Sequence, residues 1–316
     1  MRDGWRVISE VATARIVVMD PELEAFIPLF PPADLLDPAT DRRYLAELAA
    51  GVPSMDTSGM EIEDHTVPAD PAVPVRIYRP HQAHGVVIWL HGGGFVMGGL
   101  DSDHPWATRL ADGSGAVVIS VGYRLAPEDP YPAALDDAYA VLTWTAEHAV
   151  ELGLDPERIA VAGHSAGGNL AAAVALRARD EQGPPIRFQL LNEPGLDDRM
   201  ETWSARNFTD TPWLYCDKLA RSWRHYLGST PATPYAAPAR ATDLSGLPPA
   251  HIATAEFDPN RDEGIAYALR LLRSGVSVEL HQWPGTFHGS QAILSAEVSQ
   301  RQIAALAAVV RRALAD

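Results

Sequence analysis

The chain has 316 residues, of which 47% are hydrophobic and 21% charged, and its formal net charge is −16. This composition is typical of a globular protein with one large core in one or two domains. The acidic excess argues against a nucleic-acid partner, because phosphate binding needs clustered basic side chains. Cys216 and Lys218 are the only cysteine and the only lysine. An intramolecular disulfide is therefore excluded, and no glycine-rich phosphate loop precedes the lysine.

The apolar stretches of the sequence are all short. No run of about eighteen apolar residues occurs, so we predict no membrane-spanning helix and no stable membrane insertion. The apolar stretch near the N-terminus ends at Asp20 and is too short for the core of a signal peptide. We therefore expect cytoplasmic residence.

The first part of the chain predicts helices punctuated by prolines, with amphipathic segments that begin near Pro21 and Asp41. Two extended segments follow, at residues 61–67 and 73–79. Their apolar and polar residues alternate, which is typical of antiparallel strands at the edge of a sheet.

From residue 86 onwards, short apolar runs alternate with helical patterns. This alternation predicts an α/β fold with a mostly parallel sheet, helices on both faces and right-handed crossovers. The expected strands are 86–90, 116–121, 158–162, 188–191, 251–255 and 276–281, and the expected helices are 132–151, 166–179, 262–274 and 300–314.

One aromatic-rich stretch, at residues 197–240, interrupts the alternation and has little strand character. We interpret it as an insertion that lies, with the N-terminal helices, over the carboxyl edge of the sheet. Ordinary packing of surface helices is the alternative interpretation. The two interpretations are compatible.

The motif GHSAG at residues 163–167 fits the pattern G-x-S-x-G and lies between a predicted strand and a predicted helix. This context is the one in which the motif forms a sharp turn that exposes a nucleophilic serine, here Ser165. The flanking glycines permit strained backbone angles and close packing. Small residues continue at 168–173 and predict a helix face that packs closely on the sheet.

The motif HGGG at residues 91–94 directly follows the predicted strand 86–90. Three consecutive glycines are costly in conformational entropy, which indicates a function of the backbone itself. Attack on an ester carbonyl creates an oxyanion that must be met by preorganised N–H donors. A tight turn without a ligand is the alternative for this motif taken alone.

A nucleophilic serine needs a general base, and the base needs a carboxylate that orients it. Asp258 directly follows a late strand, whereas Asp262 and Glu263 fit the first turn of the next helix, where acids favour the helix dipole. Four histidines follow Ser165, and His288 is the one in a glycine-flanked loop after a strand. The order serine, acid, histidine is that of a serine hydrolase. We predict Ser165, Asp258 and His288 as a catalytic triad.

Together these motifs resemble the hormone-sensitive-lipase-like carboxylesterases, also called bacterial family IV. The resemblance covers about residues 91–288 and includes, in order, the HGGG run, YRLAPE at 123–128, the serine motif, Asp258 followed by proline, and His288. It implies a single α/β-hydrolase domain over residues 1–316. Its helical cap would be formed by about residues 1–50 and an insertion at about 197–240.

The resemblance also implies that the N–H groups of Gly93, Gly94 and Ala166 form an oxyanion hole. It implies hydrolysis of esters with short-to-medium acyl chains through an acyl-enzyme, without a cofactor or a metal. Two departures concern the site: His164 precedes the nucleophile, where aspartate or threonine is usual, and Glu193 stands where tyrosine is common. We expect both to affect the polarity of the pocket or the pKa of the catalytic histidine.

Three alternatives remain open at this point. An amidase, deformylase or lactonase would use the same residues. A non-catalytic receptor, such as the plant gibberellin receptors that resemble this family, would lack the catalytic histidine. A metal hydrolase would need ligands, but no HExxH motif occurs, and the acid pairs at 136–137 and 197–198 are interpreted as solvated or helix-end acids. The natural ester and the choice between monomer and homodimer are not encoded in any motif.

Overall fold

The computed structural model describes residues 19–29, 33–51, 56–81, 83 and 85–315. Within them, eight strands form one sheet in the order β1-β2-β4-β3-β5-β6-β7-β8. From β4 to β8 all neighbouring strands are parallel, whereas β2 is antiparallel to both β1 and β4. The strands are Met60–Val67 (β1), Val73–Pro80 (β2), Val86–Leu90 (β3), Val117–Val121 (β4), Ile159–His164 (β5), Phe188–Asn192 (β6), Ala250–Phe257 (β7) and Val278–Phe287 (β8).

The helices of the described residues cover both faces of this sheet. They are Pro21–Glu24 (α1), Pro38–Gly51 (α2), His104–Ser114 (α3), Ala133–Glu147 (α4), Ala166–Asp180 (α5), Trp203–Asn207 (α6), Cys216–Leu227 (α7), Arg261–Arg273 (α8) and Glu297–Leu314 (α9), with 3₁₀ turns at Ile27–Leu29, Pro238–Arg240 and Ser290–Ala292. Among the described residues, no helix has the length and apolar character needed to cross a bilayer.

The central strands are buried on both faces because their side chains alternate between two cores. Ile88 and Leu90 of β3 pack into the core that α4, α5 and α8 cover, whereas Val87 and Trp89 pack into the core under α3 and α9. The prediction of a mostly parallel sheet between two layers of helices is therefore confirmed. Both extended segments before residue 86 were predicted to be edge strands. This is correct for β1 but wrong for β2, which lies between β1 and β4.

Helix α3 was not predicted from the sequence. It contains Pro105 in its first turn and Gly113 near its end, which weaken the helical pattern. The periodic signal was nevertheless present, because the buried positions Ala107, Leu110 and Ala111 recur at helical spacing. This helix packs on the same face of the sheet as α9.

Helix α5 lies close to the sheet, as its small residues predict. Ala171, Ala172 and Ala173 are fully buried. A Cβ atom at Gly167 would collide with the carbonyl group of Leu90 at the end of β3. The close approach brings the first turn of α5 against the loop that follows β3.

Candidate active site

The pairing of β7 with β8 places two of the predicted catalytic side chains next to each other. A bulge late in β7 brings Phe257 opposite Phe287. Asp258 and His288 are the next residues of their strands, so both lie at the carboxyl edge of the sheet. Strand β8 was predicted to end at residue 281, but it continues for six more residues and ends at Phe287. His288 therefore follows the strand directly.

The pairing of β5 with β6 places a second pair of side chains at the same edge. His164 lies opposite Asn192, and the next residues are Ser165 and Glu193. The N–H group of Ser165 donates to the carbonyl oxygen of Asn192 at 2.8 Å. The serine and the glutamate thus emerge from adjacent strands.

Ser165 occupies the sharp strand-to-helix turn that its motif predicts. Its backbone angles, φ 57° and ψ −117°, lie where residues with a Cβ atom are rare, so the turn is strained. A Cβ atom at Gly163 would collide with the carbonyl group of Gly167 across the turn. Glycine is therefore required at that position by the geometry of the turn.

The three predicted side chains form a continuous hydrogen-bonded chain. His288 Nε2 lies 2.8 Å from Ser165 Oγ, and His288 Nδ1 lies 2.8 Å from Asp258 Oδ2. The other oxygen of Asp258 accepts the N–H group of Asn260 at 2.8 Å. Because Nδ1 donates to the carboxylate, Nε2 is left to accept the serine proton. Asp258 is fully buried, whereas Ser165 retains 9% exposure toward the cavity described below.

The HGGG loop lines the same cavity as Ser165. Two of its glycines have backbone conformations that favour glycine. Gly93 has a φ of 122° and Gly94 a φ of 61°. The carbonyl oxygen of Gly93 accepts the N–H groups of Val96 and Met97 at 3.1 and 3.0 Å. Within the described part of the chain, the N–H groups of Gly93 and Gly94 donate to no acceptor.

Tyr123 supports this loop, and sequence reasoning did not assign it a role. Its ring stacks on the imidazole of His91 at 4.0 Å, and its hydroxyl donates to the carbonyl oxygen of His91 at 2.8 Å. His91 Nδ1 in turn contacts the carbonyl oxygen of Gly92 at 2.7 Å. Burial lowers the pKa of His91 to about 4, so its ring is neutral at physiological pH. Two separate landmarks of the sequence, HGGG and YRLAPE, are thus joined by a buried contact between His91 and Tyr123.

Glu193 supplies a second carboxylate beside His288. Its Oε2 atom accepts the N–H group of Gly289 at 2.7 Å and lies 3.1 Å from His164 Nε2 and 3.7 Å from His288 Nδ1. The side chain is 1% exposed, and its backbone φ of 49° is strained. The sequence showed Glu193 as a departure from the family pattern, but its contacts depend on the pairing of β5 with β6.

The charges around His288 control its proton affinity. Burial alone would lower the pKa of His288, but the charge and hydrogen bond of Asp258 and the charge of Glu193 outweigh burial, so the pKa is raised above its ordinary 6.5. Burial would likewise raise the pKa of Glu193, but its contacts with His164, His288 and the Gly289 N–H group hold that pKa below the ordinary value. Glu193 therefore keeps its negative charge near the imidazole.

A cavity of about 450 Å³ opens above Ser165 and His288. Its wall is mostly apolar, which suits a ligand with a hydrocarbon portion. The N-terminal segment, the loop after β3 and helix α7 all contribute to the wall. Apolar lining residues include Leu35, Leu45, Trp106, Trp213, Leu219 and Trp223.

The remaining acidic candidates have structural partners. Glu263 lies in the first turn of α8 as predicted, but it is 2% exposed and accepts the N–H group of Leu196 at 2.5 Å. The prediction of solvated or helix-end acids is wrong for Asp137 and Asp197, which are 3% and 7% exposed. Asp137 lies beyond the first turn of its helix, and Asp197 lies in no helix. Each member of the two acid pairs binds an arginine: Asp136 with Arg177, Asp137 with Arg124, Asp197 with Arg199 and Asp198 with Arg240.

Fold and site together define an α/β hydrolase with a serine at its nucleophile turn. Residues 87–292 match a family described as having the alpha/beta hydrolase fold. The chain is 45% identical over 263 residues to Carboxylesterase NlhH of Mycobacterium tuberculosis (strain ATCC 25618 / H37Rv), covering 78% of this chain and 82% of that protein. It is 49% identical over 231 residues to Esterase LipI of the same strain, covering 69% and 72%.

Solved structures agree with these relatives. The fold matches Bacterial Heroin Esterase with a TM-score of 0.91 and 45% sequence identity, covering 95% of this chain and 99% of that one. It matches esterase LipW from Mycobacterium marinum with a TM-score of 0.89 and 41% identity, covering 96% and 98%. The chain belongs to the hormone-sensitive-lipase-like carboxylesterases of the α/β-hydrolase superfamily.

Proposed function

We propose that this protein is a serine carboxylesterase that hydrolyses esters with short-to-medium acyl chains, with Ser165, His288 and Asp258 as its triad. The observation that carries the proposal is the chain of two 2.8 Å contacts linking the serine hydroxyl, the imidazole and the buried carboxylate. This hydrogen-bonded chain begins at Ser165, which is 9% exposed and lines a mostly apolar cavity where an ester can reach it.

In the first step, His288 Nε2 takes the proton of Ser165 Oγ while that oxygen attacks the ester carbonyl carbon. The carbonyl oxygen becomes an oxyanion, and the N–H groups of Gly93, Gly94 and Ala166 stabilise it. The tetrahedral intermediate then collapses as the bond to the alcohol breaks. His288 donates its proton to the leaving alcohol, and an acyl-enzyme remains.

In the second step, His288 takes a proton from a water molecule while the oxygen of that water attacks the carbonyl carbon of the acyl-enzyme. The same N–H groups stabilise the second oxyanion. Collapse releases the carboxylic acid and returns the proton from His288 to Ser165. Asp258 holds the imidazole in the required tautomer and stabilises the imidazolium in both steps. No cofactor takes part in this scheme.

The cap that the sequence predicts is proposed for α1, α2, α6 and α7, within the ranges of about 1–50 and 197–240. Residues 1–18 and 30–32 of this range lie outside the described residues. Arg221 and His225 of α7 contact the carbonyl oxygens of Asp34 and Leu35, each at 2.9 Å, which links the two segments. Arg42 of α2 donates to the carbonyl oxygen of Val96 at 2.6 Å, beyond the HGGG loop. Cytoplasmic residence and homodimerisation stay predictions from the sequence.

Covalent labelling separates an esterase from a receptor of the same fold. We expect a fluorophosphonate probe to label the wild-type protein at Ser165, because His288 activates that hydroxyl. The measurement is intact-protein mass spectrometry followed by peptide mapping. A protein that remains unlabelled, or labelled at another serine, would contradict the proposal. A chain-length series of p-nitrophenyl esters, run beside an amide and a lactone, distinguishes the esterase from the amidase, deformylase or lactonase alternatives.

The pH dependence is set by the charges around His288. The base must be neutral to act, so kcat/KM should rise with pH through an apparent pKa above 6.5, since the pKa of His288 is raised. Glu193→Gln removes one negative charge 3.7 Å from Nδ1 and should move that apparent pKa downward. The groups acting on His288 also include Asp258, whose charge raises this pKa, and Lys218, whose charge lowers it.

The measurement is kcat/KM for p-nitrophenyl butyrate between pH 5 and 9, in wild type, Glu193→Gln and the exposed control Glu201→Gln. The control should reproduce the wild-type profile. An unchanged or raised apparent pKa in Glu193→Gln would show that this carboxylate does not act on the catalytic imidazole.

A further inference from the structure

The only lysine of the chain is buried in the wall of the catalytic cavity. Lys218 lies in the first turn of α7 and is 2% exposed. Its Nζ atom donates to the carbonyl oxygen of Trp213 at 2.8 Å and lies 4.0 Å from the centroid of that indole ring. An ammonium group can donate three hydrogen bonds, and burying one with donors unused is costly. Among the described residues, the Trp213 carbonyl is the one acceptor that this group has.

Two carboxylates lie close enough to favour the charge of Lys218, but neither accepts a hydrogen bond from it. The charges of Asp41 and Asp34 raise its pKa against the larger effect of burial, which lowers that pKa to about 8. Asp41 accepts the N–H group of Leu35 at 2.8 Å, and Asp34 accepts that of Leu36 at 2.9 Å. Lys218 is therefore charged at neutral pH and keeps donors available.

The contacts of α7 place Lys218 near the reacting groups. Ser222 lies one turn further along the helix, where its Oγ donates to the carbonyl oxygen of Lys218 at 3.2 Å. That hydroxyl covers Gly94, because a Cβ atom there would lie 2.6 Å from Ser222 Oγ. On the other side, Trp213 packs against Gly289, the residue after the catalytic histidine, since a Cβ atom at Gly289 would lie 3.5 Å from its indole ring. Lys218 thus lies between the proposed oxyanion loop and the histidine loop.

Two other polar side chains of the cavity wall already have hydrogen-bond partners. Ser102 Oγ donates to the carbonyl oxygen of Gly99, and Asp103 accepts the indole N–H of Trp89. Among the described lining residues, Lys218 is the one lysine or arginine, and it is charged at neutral pH. In a mostly apolar cavity, an anionic oxygen gains more from an ammonium than it would in water.

We propose that Lys218 is a specificity-determining residue that binds a carboxylate carried by the substrate, so that the preferred esters are monoesters of short dicarboxylic acids. The inference rests on the proposed esterase function. The ester group lies at Ser165, and the free carboxylate accepts the unused donors of Lys218 within the same cavity. The apolar wall contacts the methylene groups between them.

The test compares two ethyl esters of equal size, monoethyl adipate and its uncharged amide analogue, ethyl adipamate, by ethanol release. We expect the ratio of their kcat/KM values to fall at least tenfold from wild type to Lys218→Met. Hydrolysis of p-nitrophenyl butyrate shows whether the variant is active, and its rate can change because the charge of Lys218 lowers the pKa of His288. The ratio of the two ethyl esters is unaffected by that change, since both use the same base. Lys218→Arg should retain part of the preference. An unchanged ratio in an active Lys218→Met variant would overturn the assignment of Lys218 while leaving the esterase function in place.

A second measurement needs no variant and decides the matter if Lys218→Met does not fold. In wild type, the ratio should fall several-fold between pH 7 and pH 9, because Lys218 loses its charge near pH 8. The titration of His288 cancels in this ratio, since both esters use the same base. A ratio that stays constant over this range would overturn the proposal. Failure of the wild-type protein to hydrolyse any of the three esters would instead contradict the esterase function itself.

Discussion

Ser165→Ala should lower kcat for p-nitrophenyl butyrate at least a thousandfold. The hydroxyl is the atom that forms the acyl-enzyme, and His288 Nε2 lies 2.8 Å from it with no other described hydroxyl in contact. The three triad residues act as a unit, so removing one of them removes most of the rate enhancement that the triad provides. Only oxyanion stabilisation and substrate binding then remain to accelerate the reaction. The fold should be unaffected, because the Oγ atom makes no other hydrogen bond within the described residues.

The control for this prediction is Ser229→Ala, which changes an exposed serine in the turn after α7. Both variants should give the same circular dichroism spectrum and melting temperature as wild type. Only Ser165→Ala should lose turnover and fluorophosphonate labelling together. Turnover near the wild-type rate in Ser165→Ala would mean that a different group is the nucleophile.

Asp258→Asn should lower kcat by about three orders of magnitude, because an amide can present a donor to His288 Nδ1 and favour the wrong tautomer. Glu193 should limit this loss. Its Oε2 atom lies 3.7 Å from the same nitrogen and can take over part of the orienting function after a small shift of the imidazole. We therefore expect Glu193→Gln alone to cost less than tenfold in kcat, but at least a further tenfold in the Asp258→Asn background.

The measurement is a double-mutant cycle on kcat, with Glu201→Gln combined with Asp258→Asn as the matched control. The sign of the coupling is decisive, since independent residues give additive changes in activation free energy. If Glu193→Gln costs the same factor with and without Asp258, the two carboxylates act independently. The prediction that Glu193 substitutes for Asp258 would then be wrong.

The amino-acid sequence alone predicted the fold class and the identity of the three candidate catalytic residues. Strand-forming and helix-forming patterns are local, so the alternation from residue 86 onwards was sufficient to predict a parallel sheet between helices. The serine turn and the glycine run are also local motifs, because each depends on the backbone freedom of adjacent residues. Asp258 and His288 could be selected because each follows a predicted strand and their order along the chain is restricted.

The tertiary structure decided how these residues meet and what surrounds them. The register of β5 against β6 places Glu193 beside His164, and the bulge in β7 brings Asp258 level with His288. The sequence marked Lys218 only as the single lysine, and its burial in the cavity wall became evident from the structure. Register and burial depend on contacts between residues far apart in the chain, and no local pattern encodes them. The candidate triad could therefore be predicted from the sequence, whereas the positions of the Glu193 and Lys218 charges, which shift the pKa of His288, required the folded structure.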